Sequence, residues 1–414
     1  MTVGILTFHS QLNYGGVLQC WALQTSLEKL GFNVVVIDRW ITPTNWHLDR
    51  DYSRRSKKWW IRFWVRSLLG LGDIRFWRRV RRTREFIRDN LHLTPFHFCD
   101  WKDAPRNLGV DLVVVGSDQV WHCGDAGNPR PYLLEGAPSV PAIAYAASFG
   151  FPHLPPTLGT GFGHDDDFPS EPVFRSGLAR FNAIGCREHE GVTICRSLGF
   201  DASHVVDPTL LVGKEIWFRM IGLSEGRSNI AGRNRRLVCY FLSESVDAAL
   251  PTLAEFAACN DCSVEVFVRG QRSQDFISAP KTPRKAAKWA SGLLRRAKQR
   301  IRIRESAGPA EFLAAHATAR WILTDSFHSL MFAIIFDKDI RVLFPSSDER
   351  RPMFSRIREF AEHMTPSPIM QDVPSALHSL QAKETRPAID ACWLENRKKE
   401  SLSFLRKAVE GAVS

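Results

Sequence analysis

Short apolar runs alternate along this chain with stretches whose apolar residues recur every three or four positions. Each change of rhythm falls at a small polar turn. Residues 3–8 predict a buried strand, followed by a polar loop from His9 to Gly16. Over 17–30 the apolar positions Leu18, Trp21, Ala22 and Leu27 fall near one helical face, and Gly31 stops the helix. Residues 34–37 form the next strand, closed by Asp38, which gives a βαβ opening. Further strands are expected at 111–115, running into Gly116-Ser117-Asp118, at 142–147, ending in Ser148-Phe149-Gly150, and at 182–186, leading into Arg187-Glu188-His189-Glu190. A helix is expected over 192–198, and the run 204–206 leads to Asp207-Pro208-Thr209, a rigid turn that starts the crossing into a second domain.

The alternation then begins again. Strand 237–242, helix 246–258, strand 263–268, helix 309–317, a strand and helix within 321–336, strand 340–344 and a final helix over 393–413 make a second set. The economical architecture is α/β: two Rossmann-like domains with a cleft between them. The expected limits are 1–210 and 211–370, with 371–414 as a helical tail. A chain of 414 residues is long enough for two cores.

Three stretches depart from the alternation. Residues 152–172 are rich in Gly, Pro and Asp and predict a loop, and 281–304 reads as a basic, partly helical surface excursion. The segment 53–90 interleaves Trp59, Trp60, Phe63, Trp64, Phe76 and Trp77 with arginines. Charge makes this last one conspicuous: the chain carries a net +11, and 54–88 alone holds thirteen Lys/Arg against Asp73 and Glu85. The remainder is therefore close to neutral, unlike an evenly basic nucleic-acid binder. Three readings fit the segment: an amphipathic helix pair on an anionic membrane surface, aromatics packed onto the domain beneath a solvated face, or stacking on RNA. No apolar run approaches the ~20 residues of a membrane-spanning helix, and the N-terminus reads as a strand with no signal peptide. Nine cysteines at irregular positions, several in apolar runs (Cys20, Cys186, Cys239), suit buried thiols in a reducing cytoplasm.

The turns carry the candidate chemistry. In WILTDSFHSLMFAIIF, residues 321–336, a strand ends at Thr324-Asp325 and a helix starts near His328. Ser326 or Asp325 is expected to cap that helix, so that an imidazole meets a helix N-terminus able to receive an anion. The pair Gly15-Gly16 lets backbone approach a ligand closely, although it is not a dinucleotide-binding G-x-G-x-x-G. The run His164-Asp165-Asp166-Asp167 and the pair Cys259/Cys262 lack metal-site spacing, and no metal site is expected.

Taken in order, GILTFHSQLNYGGVLQCWALQTSLEKLGFNVVVID, VVVGSDQVW, YAASFG, CREHEGV, VVDPTLLV and WILTDSFHSLMFAIIF resemble the blocks of bacterial polysaccharide pyruvyl transferases. The resemblance runs from about residue 3 to 344. It implies a GT-B-like arrangement, phosphoenolpyruvate as donor and a sugar diol of a lipid-linked oligosaccharide or polysaccharide as acceptor. No step of such a transfer demands a metal or other cofactor, and the expected location is the cytoplasm, peripheral on the inner membrane if 54–88 meets anionic lipid.

Carried over residue by residue, the resemblance puts Arg187 and His328 in the donor pocket; the ketal chemistry then makes His328 the candidate acid–base group, where the plain alternative is a satisfied helix-start histidine, and Arg187 the holder of the donor anion. Ser326, Phe327 and His328 form the donor tripeptide. By their chemistry Asp118 and Glu188 are either bases toward the acceptor or helix caps, and Asn13, Tyr14, Gly15 and Gly16 are candidates to line the cleft. Two positions depart from the family pattern: Ser326 stands where arginine is usual, and Ser329 where glycine commonly follows the histidine. Arg351 and Arg356 are candidates to restore the missing charge. Two other readings are a glycosyltransferase using a nucleotide sugar, and a non-catalytic glycan- or membrane-binding relative.

Overall fold

The computed structural model describes residues 1–40, 74–122, 128–154, 170–223, 235–243, 245–268, 300–344, 354–382 and 384–413. The first half is built on a parallel sheet of strands β1 (Thr2–Leu6), β2 (Asn33–Arg39), β3 (Leu93–Phe98), β4 (Leu112–Val115), β5 (Ala142–Ala147), β6 (Ala183–Cys186) and β7 (Ser203–His204). They lie side by side in the order β3-β2-β1-β4-β5-β6-β7. Central strands of such a sheet are covered on both faces, and β4, Leu-Val-Val-Val, is buried at every position. Helices α1 (Tyr14–Lys29), α2 (Ile74–Asn90), α3 (Glu171–Leu178) and α4 (His189–Ser197) belong to this half.

A one-turn 3-10 helix, Pro208–Leu211, and helix α5 (Lys214–Met220) lead to the second half. There β8 (Arg236–Tyr240), β9 (Ser263–Phe267), β10 (Ile301–Ile303), β11 (Trp321–Thr324), β12 (Asp339–Leu343) and, beyond the two-residue strand β13 (Met364–Thr365), β14 (Ile369–Met370) are involved. The second sheet runs in the order β10-β9-β8-β11-β12-β14, while β13 pairs antiparallel with β15 (Ala388–Ile389). Its helices are α6 (Val246–Cys259), α7 (Pro309–Thr318), α8 (Phe327–Ile335), α9 (Ser355–Glu362) and α10 (Val373–Gln381). The last helix, α11 (Ala391–Val413), returns to the first sheet, where Phe404 lies beside Tyr145 and against Gly185.

The halves share apolar material. One buried cluster includes Leu18 and Val114 from the first sheet's layers, Trp217 from the crossing, and Phe312 and Phe332 from the second half. Tyr14, at the start of α1, stacks on Phe312 with centroids 4.5 Å apart and planes 12° from parallel. Its hydroxyl donates to Ala307 O at 3.2 Å. Tyr14 is therefore an interdomain core residue rather than a cleft residue, and burial raises its phenol to about 12.

Several expectations change in detail. Helix α1 starts at Tyr14, three residues early, because the Asn13 side chain accepts from Gly15 N and Asn13 O accepts from Val17 N. The Gly15-Gly16 pair thus forms part of the first helical turn. Helix α4 likewise begins directly after Glu188. Strand β3 has no clean alternation and contains Pro95, which its place at the sheet edge tolerates. Pro172 lies in the first turn of α3, a favourable place for proline, so the expected loop ends sooner. Residues 301–303 form a strand paired with β9 instead of a helical excursion. The run 164–167 and residues 281–299 lie outside the described residues.

Of the basic aromatic segment, only α2 is described; Trp59, Trp60, Phe63 and Trp64 lie outside. Arg79 does not face outward. It is buried, donates to Val268 O at 2.6 Å and Leu12 O at 2.8 Å, and lies 4.4 Å over the Tyr14 ring. Arg82 bonds Ser306 O at 2.9 Å and pairs with Glu311 at 3.0 Å. This face of α2 packs against the second half, whereas Arg78, Arg81 and Arg88 are exposed. Among the described residues no helix is long and apolar enough to cross a membrane.

Candidate active site

The polar turns leave the carboxyl ends of parallel strands, the edge at which open α/β sheets present their ligand-binding groups. The two sheets turn these edges toward each other. From the first half come the starts of α1 after β1, Gly116-Ser117-Asp118 after β4, and Arg187-Glu188 after β6. From the second comes Ser326-Phe327-His328 after β11.

Arg187 occupies the centre and is 1% exposed. Its Nη1 donates to Asp207 Oδ2 at 3.1 Å and its Nη2 to Asp118 Oδ1 at 3.4 Å, while Nε lies 3.9 Å from Glu188 Oε2. Asp207 also accepts from Ser117 Oγ at 3.0 Å, Thr209 N at 3.0 Å and Thr209 Oγ1 at 2.7 Å. Asp118 accepts from Gln119 N at 2.9 Å, its backbone held in the left-handed region at φ 78°. Glu188 receives Phe149 N at 3.0 Å and Gly150 N at 3.4 Å. The carboxylates of Asp207 and Asp118 thus take one N–H from each Nη of Arg187, while Nε has no hydrogen-bond partner. The geometry makes Arg187 the clamp between two aspartates.

His328 faces this cluster from the second half. Its Nε2 is 3.7 Å from Asp207 Oδ2 and has no hydrogen-bond partner. Gly15 fixes its other side, since a Cβ built there would sit 2.1 Å from His328 Nδ1. Only glycine allows α1 to approach so closely. Gly16 would bring a Cβ within 3.5 Å of Asp118 Oδ2. The Phe327 ring lies 4.7 Å from the Arg187 guanidinium and 5.5 Å from that of Arg356.

The expected cap at the start of α8 is absent. Ser326 stands at the N-cap position without a side-chain bond, and its N–H donates to Thr324 Oγ1. Asp325 is turned away, accepting from Leu242 N and Ser243 N, both at 2.6 Å, and from the Ser243 hydroxyl. The first N–H groups of α8 therefore have no side-chain acceptor beside His328, which favours an anion there.

Electrostatics follow from this packing. Burial holds the His328 imidazole below the usual histidine range, against the pull of Asp207 and Asp118. Burial would raise both aspartates, but for Asp118 the Arg187 charge, and for Asp207 the adjacent His328 and Arg187, outweigh it and hold them low. Arg187 is held charged by Asp118, Asp207 and Glu188, although burial opposes this. Arg356 is pushed down to about 10 by burial and by Arg187 beside it, and remains charged near neutrality. Nε2 of His328, Oδ2 of Asp118, Oε2 of Glu188 and Nε of Arg187 and Arg356 are buried without a partner. Such atoms are uncommon in native interiors, and five around one cleft suit a polar ligand.

Of the candidates from the sequence, His328, Arg187, Asp118, Glu188, Phe327, Ser326, Gly15, Gly16 and Arg356 come together; Asn13 caps α1 beside them, Tyr14 turns into the core, and Arg351 lies outside the described residues. Asp207 carried no expected role, yet it joins His328, Arg187 and Ser117. Its signal was the Asp-Pro-Thr turn after a short strand.

The model of the polysaccharide pyruvyl transferase family matches residues 13–339. The chain belongs to this family. Membership brings pyruvyl transfer to polysaccharide as its general activity. No curated protein matches the chain in sequence. Among the solved structures that resemble this pyruvyl transferase in fold are two epimerases. One is the UDP-GlcNAc 2-epimerase of Methanocaldococcus jannaschii, at 12% identity and TM-score 0.50, covering 98% of this chain and 100% of that one. The other is the UDP-N-acetylglucosamine 2-epimerase of Rickettsia bellii, at 8% identity and TM-score 0.51, covering 100% and 96%. At such identities the likeness concerns architecture alone, two Rossmann-like domains in the GT-B-like arrangement.

Proposed function

We propose that this pyruvyl transferase takes pyruvate from phosphoenolpyruvate and forms a cyclic ketal on two hydroxyls of a polysaccharide repeat unit. The observation that carries the reading is the meeting of His328, the uncapped start of α8 and Arg356 with the Asp118–Arg187–Asp207 clamp. Phosphoenolpyruvate brings a carboxylate and a phosphate. The free N–H groups of α8 and the charge of Arg356 suit these, and Arg356 supplies the cation that Ser326 does not.

The reaction protonates the enol carbon and joins one sugar oxygen to the adjacent carbon. It then expels phosphate and closes the ring with a second sugar oxygen. Two hydroxyl protons are released; one is balanced by the enol carbon and the other leaves on phosphate. Burial favours the unprotonated form of His328, which is suited to receive a hydroxyl proton, and Asp207 would stabilise the resulting imidazolium. Asp118 and Glu188, each with one unpartnered oxygen, suit hydrogen bonds to the acceptor hydroxyls.

The test incubates the protein with phosphoenolpyruvate and lipid-linked oligosaccharides, following inorganic phosphate and acceptor mass. Phosphate release with conversion of the acceptor to its ketal is expected. His328→Ala should lower turnover by about two orders of magnitude or more in a folded protein. Nucleotide release from a sugar nucleotide instead would identify a glycosyltransferase. Failure of the folded protein to bind phosphoenolpyruvate at any pH would favour a binding protein.

A further inference from the structure

Outside the cleft, three side chains from distant parts of the chain converge between the two halves. His189 opens α4, His204 ends β7, and Glu359 lies on α9. Their ligand atoms all fall within 4.8 Å of one another. We propose that His189, His204 and Glu359 bind one divalent cation of the zinc class, which ties the first half of the molecule to α9.

The geometry fits such an ion. Two ligands about 2.1 Å from a tetrahedral zinc lie about 3.4 Å apart. Here Glu359 Oε1 is 3.0 Å from His204 Nε2 and 3.9 Å from His189 Nε2, bracketing that separation. The backbone oxygen of Arg187, 3.2 Å from His204 Nε2, is placed to be a fourth ligand. Side chains of His204 and Glu359 are 10% and 14% exposed, whereas His189, at 71%, is free to adjust. Two imidazoles and one carboxylate suit zinc, while calcium and magnesium prefer all-oxygen sites. The nearby Arg397 is turned elsewhere, donating to His204 O at 2.8 Å and to Glu400 at 2.6 Å.

The site has a consequence for the cleft. His189 follows the Arg187-Glu188 turn directly, and Glu359 lies three residues after Arg356, on the same side of α9. An ion held here would position Arg356 against Phe327 and fix the turn that carries Arg187. Local spacing offers no sign of such a site, because residues 189, 204 and 359 meet only in the folded chain.

The test uses the full chain, stripped with a chelator, dialysed against zinc and analysed by inductively coupled plasma mass spectrometry. One zinc per chain and a higher Tm than the stripped protein are expected. His189→Ala, whose side chain is exposed, and Glu359→Gln should each bind zinc at least tenfold more weakly and lose the Tm rise. Failure of the wild type to retain zinc above the variants overturns the proposal. So does a cobalt-substituted form with thiolate charge-transfer absorption, which would place the ion on Cys259 and Cys262.

Discussion

Arg187 holds its charge inside the protein because Asp118 and Asp207 each take one arm of the guanidinium, which a lysine ammonium cannot reproduce. On the proposed reaction, Arg187→Lys is therefore expected to lower kcat at least tenfold while changing the KM for phosphoenolpyruvate far less. A large rise in KM with kcat preserved would make Arg187 a donor contact after all. The departure at Ser329 has its own explanation. Its hydroxyl bonds Nε2 of the buried His316 at 2.8 Å, while His316 Nδ1 donates to Phe312 O at 2.8 Å. Burial lowers His316 from 6.5 to about 4. The unfolded chain therefore takes up a proton near pH 6.5 that the folded chain refuses until about pH 4. Stability is full above that window and declines as pH falls through it, by about 3 kcal/mol for this group. Denaturant melts at pH 7 and pH 4.5 should show the decline, and His316→Gln should make it shallower. The sequence marks His328 and Arg187 as chemical groups at strand ends. It does not show that the arms of Arg187 are occupied, since the two aspartates arrive 69 residues before and 20 after it.

Helices α1 and α8 meet start to start across the cleft, and Gly15 is what permits it. Gly15→Ala places a methyl group 2.1 Å from the present position of His328 Nδ1, so the imidazole must swing away. Turnover is expected to fall at least tenfold, with an overpacking cost of about 1–3 kcal/mol in a chemical melt. Turnover near the wild-type level would mean that the position of His328 is not critical. Most elements were legible as apolar runs and helical spacings, because β1, β4, β5 and β11 are buried strands whose sequences are nearly continuous in apolar residues. What pattern does not reveal is the cap. Asn13 starts α1 ahead of its apolar face, and Asp325 serves the loop after β8 instead of its own helix. The arginines of α2 show the same limit: identical in sequence, Arg79 is interior and Arg78 is exposed.

At the scale of the molecule, the two α/β halves were legible from the renewed alternation after Asp207, but their shared core was not. Tyr14, Phe312, Trp217 and Phe332 belong to one buried cluster that draws on both halves. An extensive apolar junction of this kind opposes independent domain motion. One calorimetric transition is therefore expected; two well-separated transitions would show that the halves melt separately. The return of α11 to the first sheet adds an effect in time. On a ribosome, β5 and β6 emerge long before α11, whose Leu405 and Val409 are buried and whose Phe404 lies against Gly185 of β6. At a synthesis rate of roughly 5–20 residues per second, that face of the first sheet waits on the order of ten to forty seconds for its cover. During that interval the nascent first half carries an apolar face for which a chaperone would be a natural temporary occupant.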